Sequence, residues 1–437
     1  MFSKTSLGIG FLGLGTVGQG VWKHLLLNRP ILEKRIGASI HLCRAAVRRL
    51  DAPREIEISR DQLTTDLLSV IQHPEIDIIC EVMGGIQPAL DLTLQALAAG
   101  KTVVSANKAL LCDHGPEILA AAERGGGHYF FEASVAGGIP VIKALHEGFV
   151  ANQFPEIYGI LNGTSNYILT RMEREGLTFD QTLGEARRLG YVEADESLDL
   201  DGWDAAHKAV ILAYLAHGIW IPTRQITVKG IREITTQDIE AASSLGYKIK
   251  LIARINRDLQ SHLISISIEP TLIPLDSMMA SVDDVYNGVS ITGDVVGTTF
   301  LIGRGAGQDP TTSAVISDIV DAGWSIVRGV FGSGISPSNV TGSQCHLASP
   351  EQVFDSFYLR MEVDDRCGVL AEVARCLAQE GISVARLVQR AANASGQASL
   401  ILLTHTASRA SLQRALRVLE ASPEIVGKIV SFPIFNP

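Results

Sequence analysis

LGIGFLGLGTVGQGV, residues 7–21, is the stretch on which the reading of this chain turns. Residues 7–12 are apolar and short enough for a buried strand, and after a run of glycines Val17, Val21, Leu25 and Leu26 recur at helical spacing. Two overlapping frames match G-x-G-x-x-G: Gly8/Gly10/Gly13 and Gly13/Gly15/Gly18. The first would place its strand in the polar Met1–Ser6. The second follows an apolar strand and opens a helix, as a dinucleotide-binding turn requires. In that frame Gly13 makes the tight turn, Gly15 lets the backbone approach a pyrophosphate, and Gly18 lets the helix close on the strand. Thr16 and Val17 open the helix whose N-terminus faces the phosphates. Lys4 ahead of an apolar stretch gives a superficial likeness to a signal peptide, which the glycines contradict.

Outward from this turn, strands alternate with helices. Strands are expected at 40–47, 76–82, 101–105 and 128–132, with helices at 88–99 and near 115–124. That alternation implies α/β architecture, a parallel doubly wound sheet over residues 1–145. The second strand ends in Arg48-Arg49 where a ribose-binding acid would stand in an NAD site. Paired guanidinium groups suit a 2′-phosphate, so NADP is the expected cofactor and NAD the alternative. Lys108, in SANK after a parallel strand, lies where ligands collect in such sheets.

The chain has 437 residues, with 37 Lys+Arg against 47 Asp+Glu and a net charge of −10. At about 150 residues per domain this suggests roughly three domains. Hydrophobic residues make up 46% and charged residues 19%, which excludes a disordered chain. The acidic balance argues against nucleic-acid and anionic-membrane partners, and no apolar run reaches the ~18 residues of a membrane span. The six cysteines show no metal-like spacing and read as buried thiols of a cytoplasmic protein. Residues 146–330 read as an α+β unit, with helices at 165–175, 180–189, 202–217 and 311–322 and strands at 226–232, 248–256 and 262–269. A Ser/Gly/Pro-rich linker follows at 331–354. Residues 355–437 follow a ferredoxin-like βαββαβ plan.

Residues 202–217 (GWDAAHKAVILAYLAH) are apolar nearly all round and so read as a buried helix, yet they carry Asp204 and Lys208 one turn apart. Buried charges are expensive, and these two point to a site or a network. A partly buried lysine is a suitable proton donor to a carbonyl oxygen, and Lys108 is a second candidate for that catalytic role beside Lys208. Upstream, Tyr191, Glu193, Asp195, Glu196, Asp199 and Asp201 form an acidic cluster that could bind a substrate ammonium group or simply be a solvated loop.

With these residues in view the chain resembles homoserine dehydrogenase over nearly its whole length. The blocks are GFLGLGTVGQGV (10–21), EVMGG (81–85), SANKALL (105–111), FEASVAGGIPVI (131–142), GILNGTSNYIL (159–169), EARRLGYVEADESLDLDGWDAAHK (185–208) and GRGAGQDPTTSAV (303–315). The resemblance implies NAD(P)-dependent interconversion of L-aspartate 4-semialdehyde and L-homoserine, in threonine, methionine and isoleucine biosynthesis. By the family's roles, Lys208 would be the proton donor. Asp204 and Glu193 would bind the amino and hydroxyl groups, with Asp199 and Tyr191 nearby, and Gly163 and Thr164 would border the substrate. Lys108, Gly84 and Gly307 would line the cofactor pocket. A monovalent cation, in this family usually sodium, would sit at Glu132, Val135, Gly137 and Ile139, mostly on backbone carbonyls. The middle unit, 146–330, would bind substrate and dimerise, with helix 311–322 packing back on the first domain.

The last unit, through YLRMEVDDRCGVLAEVARCLAQEGISV (358–384), resembles an ACT domain, with Cys367 in place of the family's usual Pro. That implies a regulatory ligand edge at Asp365, Gly368, Val369, Leu370 and Gln389, L-threonine as effector, and a homodimer or homotetramer. Two departures, Val192 and Glu196, fall in the loop before the buried helix. A dehydrogenase of altered substrate specificity is the alternative they motivate; a non-catalytic amino-acid sensor is another.

Overall fold

The computed structural model describes residues 4–192, 196–329, 345–390 and 396–436. They form two compact units, each assembled from separate stretches of chain. Met1–Pro155, His207–Gln225 and Val289–Gln344 make the first; Glu156–Ala206, Ile226–Gly288 and Cys345–Pro437 make the second.

The apolar strand before the glycine turn is the centre of the first unit. β1 (Ser6–Leu12), β2 (Ser39–Ala46), β3 (Leu63–Thr64), β4 (Ile78–Glu81), β5 (Thr102–Ser105) and β6 (Tyr129–Phe130) run parallel in the order β3-β2-β1-β4-β5-β6. This is the doubly wound, Rossmann-type order, which places ligands at the strands' carboxyl ends where the winding reverses. Ile9, Phe11, Val21, Trp22, Ile78 and Val104 form its core, together with Val315 and Ile319 of helix Gln308–Arg328. A helix that the apolar pattern does not predict, Arg29–Ile36, begins with a proline in its first turn and ends at Gly37 in the left-handed region.

The helix expected near 115–124 is longer, Lys108–Gly125, and contains Pro116. A proline inside a helix deprives the carbonyl four residues back of its donor. Here that carbonyl, on Cys112, accepts instead from the indole Nε1 of Trp220 at 2.9 Å. Gly115 makes this possible, because a Cβ there would run into the Trp220 ring.

In the second unit, strands Glu156–Ile160, Tyr247–Arg257, Leu263–Pro274, Ile425–Ile434, Phe354–Asp364, Gln397–Thr404 and Val384–Gln389 neighbour one another in that order. The last four, with helices Val369–Gln379 and Arg409–Glu420, are the ferredoxin-like βαββαβ plan around their own apolar core. This module is built into the unit. Leu272 pairs with Ile434, Arg409 bridges Glu269 and Asp355, and Asp238 accepts from Arg360 Nε at 2.6 Å and Tyr358 Oη at 3.1 Å.

Two expectations for the middle of the chain change. The strand expected at 226–232 shrinks to Thr227–Val228. Ile231 N donates to Leu200 O at 2.8 Å instead, and Gly230 packs directly on Leu200 and Asp201. The hairpin strands Tyr286–Gly293 and Gly297–Arg304 have no counterpart in the sequence pattern. Of the stretch 331–354, residues 331–344 lie outside the described residues, and His346–Leu347 is a short strand on Leu263–Ile264. The cysteines are only partly buried: Cys80, Cys112 and Cys376 are, whereas Cys367 is exposed. Among the described residues no helix is long and apolar enough to cross a membrane.

Candidate active site

The three glycines of the turn serve different ends. Gly13 has φ +99° and its N–H donates to Ala46 O at 3.0 Å, tying the turn to β2. Gly18 is packed, since a Cβ there would lie 2.6 Å from Gly13 O. Gly15 faces open space, with nothing within 4 Å of where a Cβ would be. Gly15 and Thr16 are exposed at the start of helix Thr16–Leu27, leaving its first N–H groups available to an anion. Val17 packs on the core.

A cleft of about 470 Å³ runs from this turn along the carboxyl ends of β2 and β4, with Gly13, Gly15, Arg48, Arg49 and Gly84 in its wall. Arg54 folds the loop carrying the two exposed arginines, donating to the carbonyls of Arg49, Leu50 and Ala52 at 2.7–3.0 Å. Gly307, at φ +116°, caps helix Gln308–Arg328, and Gln308 Nε2 donates to Thr16 O at 2.9 Å. Half-buried Lys108 opens its helix at the end of β5. Behind it the fully buried Glu81 accepts from Ser105 Oγ at 2.7 Å and from Met83 N at 3.0 Å. Burial pushes its carboxyl above the usual range.

In the second unit the turn Asn162–Thr164 gathers the acidic residues. Asn162 caps helix Gly163–Glu175, its Oδ1 accepting from Ser165 N at 2.8 Å. Its Nδ2 donates to Asp199 Oδ1 at 2.7 Å and to Asp204 Oδ2 at 2.9 Å. Thr164 Oγ1 donates to Tyr191 O at 2.8 Å, and Ser165 Oγ to Asp199 O at 2.7 Å. Two carboxylates thus share one amide donor, at a place that would suit an ammonium group. Helix Trp203–His217 carries Asp204 and, one turn on, Lys208; they are 6% and 7% exposed. Glu193 lies outside the described residues.

Glu132 is buried and its carboxylate accepts from Ile142 N at 3.0 Å and Lys143 N at 2.8 Å. Burial raises its pKa to about 7. Ala136 and Gly137 both have positive φ, and a Cβ on Gly137 would lie 2.6 Å from Gly305 O. Val135, Gly137 and Ile139 can offer a cation only main-chain oxygen, a donor that suits a hard ion. Among the described residues no group of three or more His, Cys, Asp or Glu side chains is placed to hold a metal.

Asp365, Gly368, Val369, Leu370 and Gln389 come together around a cleft of about 290 Å³. Gln389 Nε2 donates to Asp365 Oδ1 at 3.2 Å. Gly368, at φ +97°, starts helix Val369–Gln379 without a side-chain cap, and Val369 N donates to Arg366 O at 3.5 Å.

A family model described as Homoserine dehydrogenase matches residues 140–320, and one described as Homoserine dehydrogenase, NAD binding domain matches 13–132. An ACT domain model matches 357–424. A homoserine dehydrogenase of Synechocystis sp. is 40% identical over 424 residues, covering 95% of this chain and 97% of that protein. The chain belongs to the homoserine dehydrogenase family. The crystal structure of a homoserine dehydrogenase from Thiobacillus denitrificans matches with a TM-score of 0.91 at 39% identity, covering 100% of both chains. A hyperthermophilic archaeal homoserine dehydrogenase in complex with NADPH matches at 0.63 and 25% identity, over 76% of this chain and 100% of that one. As a homoserine dehydrogenase the chain is an oxidoreductase acting on a CH–OH group, with a nicotinamide-binding domain and a C-terminal ACT domain.

Sequence reasoning passes over three residues of this homoserine dehydrogenase. Asn162 precedes the quoted glycine in NGTSNY, and its signal is an N-cap asparagine before a helix. Arg54 carries no motif signal, and Glu81 opens the matching block EVMGG, which does not state its part; the roles of both come from folded partners. The acidic run also divides. Glu196 pairs with Arg187 and Arg232, and Asp201 with Arg232, so those two are neutralised structurally.

Proposed function

We propose that this member of the family interconverts L-aspartate 4-semialdehyde and L-homoserine with NADP(H), with Lys208 moving the proton. The observation that carries the reading is the convergence of Asp199 and Asp204 on Asn162, one turn before a buried lysine on the same helix. Asp199 and Asp204, with Glu193, hold the substrate's amino and hydroxyl groups; Gly163, Thr164 and Tyr191 border it. In the reducing direction Lys208 gives its proton to the carbonyl oxygen as that oxygen gains charge, and in the oxidising direction it takes the hydroxyl proton back. The bound nicotinamide supplies or accepts the hydride. Gly13, Gly15, Thr16, Val17 and Gly18 bind the pyrophosphate, Arg48 and Arg49 the 2′-phosphate, and Gly84, Lys108 and Gly307 the nicotinamide side. The open space at Gly15 and the exposed arginines in the cleft support that fit.

The same reading takes Glu132, Val135, Gly137 and Ile139 as the seat of a sodium ion and residues 1–145, 146–330 and 355–437 as cofactor, substrate and ACT domains. It takes the protein as a cytoplasmic homodimer or homotetramer, with L-threonine as effector at Asp365, Gly368–Leu370 and Gln389. Steady-state assays with NADPH and NADH in parallel, with and without threonine, test it. Preference for NADPH that Arg48→Ala with Arg49→Ala abolishes supports the 2′-phosphate assignment. Near-normal turnover in Lys208→Ala would remove that lysine from the chemistry. Asp365→Ala should raise the threonine concentration needed for half-inhibition, and an unchanged value argues against this edge.

A further inference from the structure

We propose that Lys250 is a positioning residue for the substrate-binding turn Asn162–Thr164, acting through the loop 282–286 that forms the turn's back wall. Lys250 lies mid-strand in Tyr247–Arg257 with its side chain 1% exposed. An ammonium at that depth is strongly disfavoured unless each of its donors is used. Here all three are: Nζ donates to Val282 O at 2.8 Å, Asp283 Oδ1 at 2.8 Å and Asn166 Oδ1 at 3.0 Å. Two of these acceptors belong to the loop and the third to helix Gly163–Glu175, so one lysine ties the two together.

The helix adds its own bonds. Asn166 Nδ2 donates to Val282 O at 3.0 Å and Tyr286 O at 3.1 Å, and Thr170 Oγ1 accepts from Asp284 N at 3.0 Å. Asp284 is held at φ +58°, a left-handed conformation that a non-glycine residue keeps only when its surroundings enforce it. Burial lowers the tendency of Lys250 to be charged, and the Asp283 carboxylate opposes that.

The loop has little freedom to shift without moving the turn. A Cβ on Gly163 would lie 2.7 Å from Val285 O, so loop backbone presses directly on the turn residue between Asn162 and Thr164. Asn162 in turn sets Asp199 and Asp204. A methionine would fill nearly the same volume as Lys250 without burying charge; it leaves three buried oxygens without that donor and so costs stability, while Asp283 keeps Arg174 and Lys248 as partners. What methionine cannot do is hold three oxygens in fixed places. The geometry therefore assigns the lysine to placement of the loop and the turn.

The inference rests on reading Asn162–Thr164 as substrate-binding, and the experiment separates the two. Lys250→Met and Asn162→Ala are made in the full-length protein, and KM is measured separately for homoserine and for NADP. The expected result is a KM for homoserine raised about tenfold or more in both, with the KM for NADP within about twofold of the unmodified protein. A rise in Asn162→Ala with none in folded Lys250→Met overturns the positioning role and leaves the turn's role standing. No rise in Asn162→Ala overturns the reading of the turn, and the inference with it. Equal rises in both KM values in Lys250→Met mean general damage and overturn it too. If Lys250→Met does not fold, Thr170→Val releases Asp284 N, losing besides only the hydroxyl's own bond to Asn166 O within the helix, and should raise the KM for homoserine about threefold; no change overturns the proposal.

Discussion

At the scale of the residue, the group that joins the acids lies inside a matching block, GILNGTSNYIL, whose pattern does not state its part. Asn162 donates to two carboxylates that would otherwise repel each other, and it caps the helix behind it. Hydrogen bonds to charged groups contribute roughly 1.5–3 kcal/mol each. Asn162→Ala should therefore lower kcat/KM for homoserine by about 10- to 100-fold, measurable in a standard initial-rate assay. Asn162→Asp should do worse, because it adds a third negative charge to the pair. Asp283 offers a test by pH. Burial opposes its ionisation, yet the ammonium groups of Lys250 and Lys248 and the guanidinium of Arg174 hold its pKa below the ordinary 3.8. A depressed carboxylate contributes stability that is fully present above its unfolded value and is lost as pH falls through its folded one. Thermal unfolding below about pH 4 should show that loss, and Asp283→Asn should flatten that part of the acid limb.

At the scale of the element, helix Lys108–Gly125 shows how a local rule is overridden. Pro116 argues for a helix starting near residue 115, and by local propensity that is sound. The helix continues through it because Trp220, far away in sequence, supplies the missing donor to Cys112 O. Trp220→Phe keeps a ring but removes the donor, and urea unfolding should show a loss of about 1–3 kcal/mol, the cost of an unsatisfied buried carbonyl. Gly115→Ala should also destabilise, by about 1–3 kcal/mol, because its methyl has to displace the indole. The helix from Arg29 to Ile36 is the opposite case. Its start and stop signals, Pro30 and Gly37, stand in the sequence, and its weak amphipathic pattern hides it. Strand Gly297–Arg304 is hidden for a similar reason: it is exposed or half-exposed along its length and lacks the one-sided alternation that marks a strand.

At the scale of the whole molecule, the ACT module is part of a compact unit and not a tethered appendage. Arg360 and Tyr358 meet the buried Asp238, which also completes the capping box of helix Thr236–Leu245 with Thr235. Removing one partner of such a buried pair costs about 3–5 kcal/mol. Asp238→Ala should show a loss of that order by denaturant titration, whereas exchange of the exposed Lys428–Glu233 pair should change little. A chain ending near residue 335 would lose the strand that pairs at Leu272, so effector control is better tested by point changes than by truncation. The sequence alone determined the doubly wound sheet, the βαββαβ plan and the glycine turn. Those follow from periodicity and backbone freedom, which act over a few neighbouring residues. It also singled out Asp204 and Lys208 as candidates, because charge on an apolar helix is conspicuous wherever the helix sits. Only the tertiary structure decided which acids of the run 196–204 gather on Asn162 and which are matched by Arg187 and Arg232. Only it revealed what Asn162, Lys250 and Trp220 do, because a polar group's role is set by the partners folding brings within 3 Å, and those partners lie far along the chain.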